Sequence, residues 1–181
     1  MTNLRSFAAA ILCLSLSSQF AVAHQFDPAR NKSLGEAMQG HQHAAYQQAA
    51  QARAQIIYYN AQSTEPTPVA ETKEMVVAIR KDLKASDSAL AKLKAAHAKE
   101  PEVVKQIALI EKYHAKAHEA CGMAEEACAK EHADQTIVGS CCSTMWHELD
   151  AAQVETQKLL KMLKIEKLEP PKKVETVKPA A

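Results

Sequence analysis

"YHAKAHEACGMAEEACAKEHADQTIVGSCC", residues 113 to 142, decides how the chain folds. Within it His114, His118, Cys121, Glu125, Cys128 and His132 follow one another at steps of three or four. That spacing puts them along one narrow stripe of an α-helix. "HADQ" then supplies a turn, with Asp134 placed to cap a second helix that opens on "TIVGSCC". A short turn between two long helices makes them antiparallel neighbours.

Outward from this hairpin the same period continues. Pro101 sits at a first-turn position, and Val103, Ile107, Ile110, His114, Ala117, Cys121, Ala124 and Cys128 form the apolar line of the third helix. Ile137, Val138, Cys142, Met145, Trp146, Leu149, Leu159, Leu160 and Leu163 do the same for the fourth. Upstream, Thr67 and Pro68 read as N-cap and first residue of a second helix lined by Val69, Val76, Ile79, Leu83, Leu90 and Leu93. The loop "NAQSTEPTP" precedes it, with two prolines. The first helix opens at "SLGE", where Ser33 and Glu36 have capping-box spacing. Its apolar line runs through Leu34, Met38, His41, Ala45, Ala52, Ile56 and Tyr59, leaving His43 off the core side. The fold expected is all-α: an antiparallel up-down four-helix bundle over residues 33–168, with an elongated helical hairpin or its dimer as the alternative. Scarce glycine and 4% aromatic content disfavour sandwiches and barrels.

The two ends of the chain read differently. Arg5, the apolar run "FAAAILCLSL" and the small-residue site "AVA" form a signal peptide over residues 1–23, with cleavage near Ala23. The run is too short to span a bilayer, so the expectation is export, periplasmic or secreted, with no transmembrane segment. A flexible N-terminus over 24–32 follows, and 169–181 is a Pro/Lys tail without apolar period, expected to be disordered. With a net charge of +1 and interleaved signs, there is no nucleic-acid footprint. No acid/base pair or activated nucleophile can be placed, so an enzyme has the least support.

Cys13 would leave with the signal, and Cys121, Cys128, Cys141 and Cys142 would remain. On the third helix His114, Cys121 and Cys128 lie on the core line, and His118, Glu125 and His132 lie one notch to the side. Antiparallel pairing brings Cys141 and Cys142 level with Cys121, with Met145 close by. Cys121 and Cys128 are about 10.5 Å apart along a helix and cannot bridge. A vicinal Cys141–Cys142 bridge inside a helix would be strained. One disulfide, Cys121 to Cys141 or Cys142, is therefore the most that regular helices allow. The remaining thiols need burial or a metal. Thiolate and imidazole converging from neighbouring turns suit a soft or borderline ion, copper ahead of zinc. Two readings stay open: a metal-binding bundle, and a structural or interaction bundle of the cell envelope stapled once, with an unidentified protein partner or a second copy of itself.

"HEACGMAEEACAKEH" followed by "CCSTMWHELDAA" resembles the exported Cys-rich four-helix-bundle copper-binding proteins, over about residues 114–152. The resemblance implies thiolate binding of Cu(I) by Cys121, Cys128, Cys141 and Cys142, with His118, His132 and Met145 as auxiliaries. That family carries cysteines on every helix, whereas the first two helices here have none. The implied site holds one or a few ions and is not a many-ion store.

Overall fold

The computed structural model describes residues 28–65, 68–130 and 134–165. These form four α-helices: α1 (Pro28–Ala61), α2 (Val69–Ala96), α3 (Pro101–Cys128) and α4 (Gln135–Met162). The expected signal peptide and C-terminal tail lie outside the described residues. α1 already begins at Pro28, inside the stretch read as a flexible N-terminus, so Ser33 lies within the helix and not at its start.

Polar pairs fix the register. Arg53 of α1 pairs with Asp82 of α2. Lys94 and Arg80 of α2 reach Glu111 and Glu125 of α3 at 2.7 and 2.5 Å. Gln106 and Lys116 of α3 meet Glu155 and Glu148 of α4 at 2.7 and 3.0 Å. Gln51 of α1 reaches Asp150 of α4 at 3.0 Å and closes the ring. Successive pairs run in opposite order along neighbouring helices (His43 with Ser86 then Arg53 with Asp82; Arg80 with Glu125 then Lys94 with Glu111; Gln106 with Glu155 then Lys116 with Glu148; Gln47 with Gln153 then Gln51 with Asp150), so all four contacts are antiparallel. The bundle is up-down-up-down, as the sequence predicts.

Local chemistry sets the helix ends. Asp134 caps α4 by accepting from the Thr136 and Ile137 amides at 2.9 and 3.3 Å. α3 opens on Pro101, where a missing amide hydrogen costs nothing. Pro68 occupies the N-cap position of α2, one residue outside the first turn expected for it, and Thr67 lies outside the described residues. α4 closes with Lys164 in the left-handed region at φ 55°, and the Ile165 amide donates back to the Leu160 carbonyl at 2.9 Å.

The apolar line of α3 is buried from Val103 to Cys128, and that of α2 from Val76 to Leu93. Val69 and Ile137, at helix starts, are exposed instead. α1 departs from expectation along its whole length. Leu34, Met38, Ala45, Ala52, Ile56 and Tyr59 face solvent, and His41 is half-buried. The buried face is Gly40, His43, Gln47, Ala50, Ala54 and Ile57. Two causes select it. Its small residues admit close neighbours, and its His43 and Gln47 find polar partners at the centre of the bundle. A Cβ on Gly139 of α4 would stand 2.6 Å from the Ala61 Cβ, and one on Gly40 would stand 2.8 Å from Leu160 and Ile165.

These glycines give opposite expectations. Gly139→Ala forces α1 and α4 apart and should destabilise the fold by about 1–3 kcal/mol. Gly35→Ala meets nothing within 4 Å in a helix interior and should stabilise it by about 0.5–1 kcal/mol. Urea unfolding of both variants reads the two signs.

Candidate functional site

The core has two unlike ends. One is aliphatic, built from Leu90, Leu93, Val103, Ile107, Ile110 and Leu159. The other holds Cys121, Cys128, Cys141, Cys142 and Met145, with Met75 and Trp146 packed against it. The last two turns of α3 supply the first two cysteines and the second turn of α4 the other two, as the antiparallel register requires.

All four thiols are buried and free. The disulfide expected between Cys121 and Cys141 or Cys142 is not formed. Cys121 instead directs its thiol at the Val76 carbonyl of α2, 3.8 Å away. Burial pushes the Cys121 thiol up to about 11, against the opposing pull of Arg80. Cys142 is driven further upward, first by burial and then by Cys141, Cys128 and Cys121, so it lies within electrostatic reach of all three. Cys128 and Cys141 are raised by burial too. At neutral pH these groups are thiols and not thiolates, hence slow nucleophiles and slow to oxidise. Cys121 and Cys142 are fully enclosed, whereas Cys128 and Cys141 retain 5% and 7% exposure. The cluster thus has an inner pair and an outer pair.

His114 and His118 of the α3 stripe pair with Asp87 and do not join the thiols. His114 Nδ1 lies 2.6 Å from Asp87 Oδ1, and His118 Nε2 lies 2.6 Å from Asp87 Oδ2. Glu125 is held by Arg80. His132 lies outside the described residues. Among the described residues no three His, Cys, Asp or Glu side chains are gathered to hold one metal ion. The site of converging thiolates and imidazoles expected from the sequence is therefore not preformed among these residues. The stripe splits because its side notch faces α2, where Asp87 and Arg80 take up His118 and Glu125.

What the sequence reading missed is a buried polar layer between the two ends. His43, Gln47, Ser86, His114 and Thr156 are all buried, one or two from each helix. Gln47 donates to the Leu149 carbonyl at 3.4 Å and Gln153 Oε1 at 3.3 Å, which orients its amide. Its Oε1 then accepts from the Thr156 hydroxyl at 3.0 Å and from His114 Nε2 at 3.1 Å. With Asp87 Oδ1 on Nδ1 and Gln47 Oε1 on Nε2, both nitrogens of His114 face acceptor oxygens. His43 Nε2 donates to Thr156 at 3.0 Å, and the Ser86 hydroxyl lies 2.8 Å from His43 Nδ1. One chain of hydrogen bonds runs from Ser86 to His118. The available signal was a polar residue interrupting each apolar line at one level.

This layer carries charge chemistry. Burial would raise the Asp87 carboxyl, but the hydrogen bonds and charge of His114 and His118 outweigh it and hold it well below the usual carboxylate range. Its stabilising effect is present above the ordinary carboxylate pKa and fades only in strong acid. His43 is pushed down to about 4 by burial and then by the charge of His114. An unfolded histidine takes its proton near 6.5 while the folded one does not, so stability falls as pH drops from about 6.5 to about 4 and is level below. The expected loss is about 3 kcal/mol over that window. Urea unfolding against pH should show it, and the difference between the protein and His43→Gln should isolate it. Compared with known proteins, the chain matches no family model, no curated protein and no solved structure.

Proposed function

We propose that this chain is an exported copper(I)-binding bundle that holds the ion on thiolates at its sulphur-rich end. The observation that carries the reading is the gathering of four free cysteines and Met145 into one core cluster at one end of the bundle. Soft thiolate and thioether donors select Cu(I) among available ions. Copper(I) accepts two thiolates in line, a demand that a pair of cysteines meets. Zinc prefers four ligands in a tetrahedron, and among the described residues no set of three is gathered for it.

Each thiol plays a distinct part. Cys128 and Cys141, nearest the surface, receive the ion. Cys121 and Cys142 hold it out of water. Binding replaces two S–H bonds by two Cu–S bonds and releases two protons, leaving one net negative charge in the site. Arg80 beside Cys121 and Lys73 beside Cys128 oppose that charge, since each favours the thiolate of its neighbour. The raised thiols also suit an oxidising compartment, because the metal-free protein keeps them protonated and slow to oxidise. The His114–Asp87–His118 group has structural work in this reading and stays off the ion.

Anaerobic titration with Cu(I) against a competing chelator tests this. Stoichiometric binding with two protons released per ion is expected, with apparent affinity rising up to about 100-fold per pH unit below the thiol pKa values. Cys142→Ser should weaken binding about 100-fold or more, and replacing all four cysteines by serine should abolish it. If the cysteines serve only as small core side chains, no stoichiometric binding appears. Either that result or unchanged binding without the thiols overturns the proposal.

A further inference from the structure

The aliphatic end of the bundle, where α2 turns into α3, holds a second polar group. His97 caps the C-terminus of α2, and its Nδ1 lies 2.8 Å from Glu100 Oε1 in the turn to α3. The Glu100 amide also donates to the His97 carbonyl at 2.9 Å, so the turn holds both residues in place. Across from them Glu36 of α1 brings its Oε2 to 3.7 Å from His97 Nε2. Gln39 follows Glu36 by three residues, on the same face of α1. Glu36 stands against His97 and His43 against Ser86, so Gln39 between them lies opposite the last turns of α2. His97 Nε2 and Gln39 Oε1 are both buried, and neither makes a hydrogen bond.

Buried polar atoms in a folded protein are nearly always satisfied, so two orphans at one place ask for a common partner. That partner must take lone pairs. Gln39 Oε1 is an acceptor only. With its Nδ1–H directed at a carboxylate, the His97 imidazole carries its lone pair on Nε2. This is how a carboxylate orients a histidine for a metal. The spacing to Glu36 fits as well. An imidazolium bonded to a carboxylate closes to about 2.7–2.9 Å, well inside the 3.7 Å found. Two donors held at about 2.1 Å by one tetrahedral ion stand about 3.4 Å apart. A bare ion pair would also leave the Gln39 oxygen with nothing to bind.

We propose that Glu36, Gln39 and His97 bind one borderline divalent cation, Zn(II) by its ligand types, with Glu100 as the residue that positions His97. Imidazole nitrogen joined by carboxylate and amide oxygen suits that class, whereas soft Cu(I) goes to sulphur. Gln39 supplies the third donor in place of a third acidic or histidine side chain. Three protein ligands leave the fourth tetrahedral position to water. The ion ties α1 to the α2–α3 turn. This site stands apart from the copper proposal, since no cysteine takes part and either site can exist without the other.

Co(II) reports such a site by its colour. The purified, reduced full chain should take up one Co(II) with visible d–d bands and no sulphur-to-cobalt charge transfer, and Zn(II) should displace it. His97→Ala should weaken uptake about 100-fold or more. Glu100 is largely exposed and reaches the site through His97. Glu100→Ala should therefore cost about 10- to 100-fold in affinity with unchanged helical circular dichroism. Gln39→Met removes the orphaned oxygen at similar volume. It should raise the urea midpoint of the metal-free protein and weaken Co(II) uptake about tenfold or more. No uptake below about 1 mM means that water alone satisfies these atoms, and overturns the proposal. Uptake indifferent to His97→Ala overturns it too. Sulphur charge transfer in that case assigns the ion to the cysteines and leaves the thiol reading standing.

Discussion

The ion pair between Asp87 and His114 is the interaction on which the rest of the bundle depends. It places a charged group at the margin of a core that is otherwise aliphatic or sulphur-lined. Such a group is tolerated only when every donor and acceptor around it is used. Gln47, Thr156, His43 and Ser86 use them, and each helix must hold one axial position for that to happen. Sliding one helix by a turn would strand His43 or Gln47 without partners, a cost that a purely apolar core does not impose. The layer thus acts as a register pin, exchanging some desolvation energy for a single alignment.

Two features follow from that alignment. With Gln47 and His43 drawn inward, α1 must present its Gly40–Ala50–Ala54 side to the core. Its Leu34, Met38, Ile56 and Tyr59 are then turned to solvent, however apolar they are. The same pin sets α4 against α3 so that Cys142 lies within electrostatic reach of Cys121, and Cys141 within reach of Cys128. The thiols occupy the end with small side chains, where alanines at positions 117, 120, 124 and 127 of α3 leave room around sulphur.

Much of this was legible in the sequence, for identifiable reasons. α3 and α4 have strong apolar periods, a capping aspartate and an opening proline, so their lengths, faces and antiparallel pairing could be read directly from Pro101, Asp134 and the spacing of Ile107, Ile110, Met145 and Leu149. The sulphur cluster followed from that register. α1 misled because its buried face is less apolar than its exposed one. Periodicity finds both seams but cannot rank them when the core itself is polar at that level. The separation of His114 and His118 from the cysteines was likewise hidden. It depends on Asp87, a residue of another helix that looks like one more charge on a solvated face. The missing disulfide has a similar cause, since the partner of Cys121 is a backbone carbonyl of α2 and has no side-chain signature.

Copper X-ray absorption of the Cu(I)-loaded protein tests the central claim most directly, because sulphur and imidazole neighbours give different extended fine structure. A first shell of sulphur alone is expected, with no imidazole scattering beyond it. A nitrogen- or oxygen-dominated shell with imidazole ring features would contradict it, and would place the ion among His114, His118 and Asp87 instead of the cysteines.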